Sequence, residues 1–151
     1  MRLTFLRHGL AEDRSTWVGD DADRPLTKEG IDRTRRVLKA CADLIDGTCI
    51  LASPWRRAWQ TAELAGKIWD LPVQEAPWLV PDAATVGQRR RRLEDGMILV
   101  GHEPDLGALL GAVLGGPPLA LAKAGLAVVE GDPPELRFLL RPAVVRALCG
   151  G

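Results

Sequence analysis

Leu3-Thr4-Phe5-Leu6-Arg7-His8-Gly9 and Met97-Ile98-Leu99-Val100-Gly101-His102-Glu103-Pro104 are the stretches that decide the fold of this 151-residue chain. Each is a short apolar run that breaks off at a histidine, the pattern of a buried strand running into a loop. Cys49-Ile50-Leu51-Ala52 repeats the pattern and ends at Ser53-Pro54. Helical spacing lies between these runs. Thr27 is a candidate N-cap ahead of Lys28-Glu29, and Ile31, Thr34, Leu38, Cys41 and Ile45 follow, with Gly47 placed to close the helix. A second helix is expected from Trp55 to Trp69, a short edge strand over Pro72–Glu75 and a short helix over Val86–Leu93. Another helix runs through Leu106, Leu109, Leu110, Val113 and Leu114 up to Gly115-Gly116-Pro117. Leu126–Val129 and Leu136–Leu139 flank a Gly-Asp-Pro-Pro turn like a hairpin, and a short helix ends the chain. Strand–helix alternation predicts an α/β class: a three-layer α/β/α domain, mainly parallel, with a partly antiparallel edge. One domain over residues 1–151 is expected.

Composition narrows the function. Twenty Lys+Arg against twenty Asp+Glu gives a formal net charge of zero. A general nucleic-acid or membrane-surface binder would carry a basic excess, so neither partner is expected. Cys41, Cys49 and Cys149 have no Cys-x-x-Cys spacing, so neither a disulfide framework nor a zinc knuckle is read. No apolar run reaches the length of a membrane span, and the first residues are charged too early for a signal peptide. A cytoplasmic protein with reduced thiols is the expectation.

The chain holds two histidines, and both directly follow an expected strand. In open α/β sheets, ligands bind beyond the carboxyl ends of the strands. Those ends carry Arg7-His8, Ser53 with Arg56-Arg57 one turn later, and His102-Glu103. Imidazole supplies a nucleophile or proton carrier. Guanidinium supplies planar, bidentate recognition of phosphoryl oxygens. The combination describes a phosphoryl-transfer pocket that needs neither a metal nor a cofactor.

The chain resembles the histidine phosphatase (phosphoglycerate-mutase-like) superfamily, and within it the small SixA-type phosphohistidine phosphatases. Four ordered blocks carry the resemblance: Leu6-Arg7-His8-Gly9; Arg24-Pro25-Leu26-Thr27 with Gly30; Ser53-Pro54 with Arg57-Ala58 and Gln60-Thr61-Ala62; and Val100-Gly101-His102-Glu103-Pro104. The resemblance implies that His8 is the nucleophile, forming a covalent phosphohistidine later split by water. It implies that Arg7, Arg57 and His102 are catalytic and bind the transferring phosphoryl group, with Arg24 a further substrate-binding candidate. Two departures stand out. Arg33-Thr34 replaces the Gln-Ala that many members carry. The stretch between Gln74 and Met97 is also too short for the helical insert and acidic residue of larger members. Asp82 and Glu103 are the candidate acids. A fold without the insert leaves the pocket open and favours phosphohistidine on a phosphotransfer protein, acted on by a monomer. The alternatives are a small phosphomonoester, polyphosphate, or a non-catalytic phosphoprotein-binding domain.

Other residues have plainer readings. Arg24 either swings over the pocket or pairs with Asp20, Asp21 or Asp23. Ser53 is read as an N-cap, since no glycine elbow makes it a nucleophile. Arg89-Arg90-Arg91-Arg92 reads as a solvated helix face or as a docking patch for an acidic partner. Trp55, Trp59, Trp69 and Trp78 read as core or groove wall, and Lys123 as a surface lysine or as an extension of the phosphate pocket.

Overall fold

The computed structural model describes residues 1–150. Its strands are β1 (Arg2–Arg7), β2 (Cys49–Ala52), β3 (Val73–Glu75), β4 (Met97–Gly101), β5 (Leu126–Glu130) and β6 (Glu135–Leu140). Its helices are α1 (Lys28–Ala40), α2 (Arg56–Trp69), α3 (Val86–Arg90), α4 (Asp105–Val113) and α5 (Pro142–Cys149). The strands form one sheet in the order β3-β2-β4-β1-β5-β6. The first four run parallel, while β5 is antiparallel to β1 and β6 to β5. The expected α/β class and antiparallel edge are therefore present.

The central strands are continuous apolar runs because both faces of the sheet are covered. Their side chains alternate with the two-residue period. Leu6, Ile50, Ile98 and Val100 pack on one side with Val37 and Leu38 of α1, Ala58, Ala62 and Ala65 of α2, and Val145 of α5. Leu3, Phe5, Leu51 and Leu99 pack on the other with Leu106, Leu109, Leu110 and Val113 of α4. The result is three layers. Among the described residues no helix is long and apolar enough to cross a membrane.

α1 starts where its sequence signals place it: the Thr27 side chain accepts from the Gly30 backbone N–H at 2.8 Å. Its end differs from expectation. The helix stops at Ala40, and a 3-10 turn over Ala42–Leu44 follows. Gly47 therefore closes no helix. It serves close packing instead, since a Cβ there would stand 2.7 Å from Cδ1 of Ile98. α3 is also shorter than the expected Val86–Leu93 and is fixed at its start by reciprocal bonds between Thr85 and Gln88.

Candidate active site

Register builds the site. Parallel pairing sets Arg7 of β1 against Gly101 of β4, and Ala52 of β2 against Val100. The next residue of each strand is then His8, His102 and Ser53, so the three meet above the sheet. Main-chain bonds continue the ladders past the strand ends: His8 N–H donates to Gly101 O at 3.0 Å and Ser53 N–H to Val100 O at 3.0 Å. The two imidazole rings lie 5.3 Å apart between centroids. Gly9 lets the chain turn down onto α1, because any Cβ there would run into Thr34 Oγ1. The Gly9 N–H donates to Thr61 Oγ1 at 3.1 Å, and that hydroxyl donates to Arg57 O at 2.8 Å, tying the loop to α2.

The tautomer of His8 follows from its neighbour. Its Nδ1 lies 2.7 Å from the Gly9 carbonyl, which can only accept. Nδ1 therefore carries the proton, and Nε2 keeps its lone pair. His8 is 6% exposed. Burial pushes its pKa down to about 3, helped by the positive charges of Arg57, Arg7 and Arg24. His102, 3% exposed, is likewise pushed to about 3 by burial and by His8 and Arg57. Its Nε2 is hydrogen-bonded to Ser53 Oγ at 2.9 Å, and Trp55 stands edge-on to it at 5.3 Å. Two neutral imidazoles thus sit side by side, one presenting a free ring nitrogen as a nucleophile requires.

Arginines surround them. Arg57, 5% exposed, donates from Nη1 to Asp21 O at 2.8 Å and from Nη2 to Asp21 Oδ2 at 3.2 Å. Its guanidinium also lies 5.0 Å from the Trp55 ring centroid. Arg7 donates from Nη1 to Leu121 O at 3.1 Å. Buried Nε atoms of Arg7 and Arg57, and Nδ1 of His102, have no partner in the protein. The unpartnered, buried guanidinium N–H groups beside two imidazoles suit an incoming oxyanion. The cleft above them has a volume of about 950 Å³ and is bounded by Arg7, His8, Arg57, His102, Arg24 and Trp55, among others.

The expected residues converge, with differences of detail. Arg24 lines the cleft, yet is held down: Nε donates to Asp21 Oδ1 at 2.8 Å and Nη1 to Glu12 O at 2.7 Å. Asp82 and Glu103 both reach the cleft wall. The Glu103 carboxyl, pushed upward by burial, accepts from Leu121 N–H at 3.3 Å and so buttresses the loop that Arg7 holds. Lys123 is exposed and lines the cleft. Ser53 is not the N-cap of α2, which is Trp55. Its Oγ accepts from Trp55 N–H at 3.2 Å and turns the other way to His102.

The Arg89–Arg92 run is also not a uniform solvated face. Arg89 is 2% exposed, pairs with Asp105 at 3.0 Å, and donates to Trp78 O and Val80 O at 3.0 Å each. Asp21 as the partner of Arg57 is absent from the sequence reading. Three aspartates at 20, 21 and 23 look alike in sequence, and only the 3-10 turn over Asp21–Asp23 selects one.

Comparison with known proteins gives a consistent picture. Residues 3–80 match the model of the histidine phosphatase superfamily (branch 1). An uncharacterized protein of Picosynechococcus sp. (strain ATCC 27264 / PCC 7002 / PR-6) is 38% identical over 138 residues, covering 83% of this chain and 82% of that one. The structure of the protein histidine phosphatase SixA complexed with tungstate superposes with a TM-score of 0.84 at 26% identity, covering 96% of this chain and 99% of that one. The alpha-ribazole phosphatase of Shigella flexneri shares the fold, with a TM-score of 0.75 at 20% identity over 94% and 97% of the two chains.

Proposed function

The chain belongs to the histidine phosphatase superfamily (branch 1) and is a phosphatase, and from that premise we propose that it hydrolyses phosphohistidine carried on a phosphotransfer protein, as a cytoplasmic monomer of one domain. The observation that carries this reading is the fixed tautomer of His8: Nδ1–H on the Gly9 carbonyl, Nε2 free and neutral in a buried site. His8 Nε2 attacks phosphorus in line. A bond from phosphorus to Nε2 forms as the bond from phosphorus to the substrate imidazole breaks. When the far nitrogen of the substrate ring carries a proton, the ring departs as neutral imidazole and needs no further acid. The positive charge then resides on phosphorylated His8, whose Nδ1–H stays on the Gly9 carbonyl. Water attacks phosphorus in the second step, its proton leaves with the phosphate product, and the electron pair returns to Nε2.

Arg7, Arg57 and His102 are the donors assigned to the three equatorial oxygens, where charge spreads in the transition state. Arg24, restrained by Asp21, binds substrate at the rim. Asp82 and Glu103 are left without an acid role, because an imidazole leaving group is better than an alkoxide. The open cleft and an exposed loop tip at Val18 (91% exposed) suit a protein-borne substrate. No cofactor is part of this reading.

The test compares kcat/KM on a histidine-phosphorylated phosphotransfer domain with that on aryl and sugar phosphates. The phosphodomain should be preferred by at least a hundredfold. Preference for a small ester refutes the substrate class. Phosphate binding without turnover of any substrate refutes the enzymatic role.

A further inference from the structure

Two cavities lie beside the cleft and are joined to it by shared walls. One, of about 230 Å³, shares Leu10 and Lys123 with the cleft and adds Arg33, Arg141 and Arg146. The other, of about 550 Å³, shares Arg33, Pro142 and Arg146 with the first and adds Arg36 and Lys39. Together they form a groove between α1 and α5 that leads away from His8. Its floor is apolar, made by Val37, Ala40 and Val145.

The charge pattern sets this groove apart. The chain carries as many acidic as basic residues. The cleft itself follows that balance, since Glu12, Asp13, Asp21, Glu29, Asp82 and Glu103 line it alongside its arginines. Among the described residues, the side chains lining the two adjoining cavities include six cations and no carboxylate. One of these cations, Arg33, pairs with Glu29 at 2.6 Å. Val144 and Leu148, one turn apart on α5, are exposed as well.

Resting on the phosphoprotein reading of the cleft, we infer that this groove docks an acidic amphipathic helix of the phosphorylated partner, beside the segment that carries its phosphohistidine. The cations match carboxylates, and charge complementarity of this kind raises association rates and sets register. The apolar floor distinguishes a protein from a polyanion: a helix can bury leucines there, whereas polyphosphate or nucleic acid gains nothing from Val37 and Val145. The docked helix would bring the phosphoryl group past Lys123 into the cleft.

Arg141 and Arg146 are exposed and make no contact with His8, His102 or Arg57. The test is therefore R141E/R146E, with R141Q/R146Q as the milder variant should charge reversal disturb folding. The substrates are an acidic phosphotransfer domain phosphorylated on histidine by phosphoramidate, and p-nitrophenyl phosphate. The expected result is a tenfold or greater loss of kcat/KM on the phosphodomain for the reversal, carried by KM. Its salt dependence should flatten, and p-nitrophenyl phosphate turnover should be unchanged. Equal losses on both substrates, or no loss on either, overturn the inference.

A wild-type protein that cleaves p-nitrophenyl phosphate but not the phosphodomain refutes the substrate reading by itself. The groove is then judged by titration with a fluorescent 18-residue Glu/Leu helix. Binding that both variants weaken supports the groove, and no binding overturns it. Long-chain polyphosphate that outcompetes this helix for the groove overturns a protein occupant.

Discussion

Acidification from pH 7 to pH 5 should destabilise this protein through two histidines while leaving the chemistry of His8 intact. His8 and His102 have folded pKa values of about 3 against 6.5 for an unperturbed imidazole. Both shifts are downward, so the unfolded chain binds protons first. Stability is fully present above about pH 6.5 and is lost as pH falls toward 3. Each unit of pH between those values costs up to about 1.4 kcal/mol per histidine. Integrated from pH 7 to pH 5, the loss is about 2 kcal/mol for each ring, or about 4 kcal/mol for both.

A domain of this size loses roughly 2–4 °C of Tm per kcal/mol, so Tm should drop by about 8–16 °C. Calorimetry of wild type beside H8Q/H102Q isolates the effect, since the double variant lacks both groups. Over the same range His8 stays neutral in the fold, so kcat corrected for folded fraction should not fall from His8 titration. Equal pH slopes of Tm in wild type and H8Q/H102Q would refute the assignment of two buried neutral imidazoles.

Four other perturbations probe the site and the packing that supports the fold. H8A should abolish turnover and labelling by phosphohistidine protein, and an acid-labile phosphoenzyme surviving in that variant removes His8 as acceptor. D21N withdraws the one carboxylate that faces Arg57, Arg24 and Arg14 together. Product inhibition by inorganic phosphate should then tighten several-fold, measured as Ki. S53A frees His102 Nε2 and should lower kcat by about tenfold, the worth of one hydrogen bond of about 1.4 kcal/mol, with KM little changed. R89M strands Asp105 and two carbonyls, and should cost about 3 kcal/mol in urea unfolding; the same loss in R89K would show that the forked geometry, not the charge, is what matters.

The parts legible in the sequence are those governed by local rules. Apolar runs ended by Arg7-His8, Ser53 and Gly101-His102 placed three strand ends, and Thr27 placed the start of α1. Two histidines and two arginines in that context pointed to a phosphoryl-transfer pocket, and the structure brings all four to one cleft. What escaped depends on packing between distant segments. Arg89 looks like its three neighbours in a basic run, yet α3 turns it inward onto Asp105, 16 positions away. Gly47 looks like a helix stop, yet serves a close approach to Ile98. Asp21 and Ser53 acquire their partners across 36 and 49 positions, distances at which no periodicity carries information.

The register of β1 against β4 bears on how this chain can diverge. The spacing between His8 and His102 is a main-chain quantity, set by where two adjacent ladders end rather than by any side chain on the helices. Helix surfaces can drift freely, and a fold shared at 26% identity fits that freedom. Length cannot drift in the same way. A single residue inserted within β1 would flip His8 to the opposite face of the sheet, so gaps, unlike substitutions, should stay confined to the loops.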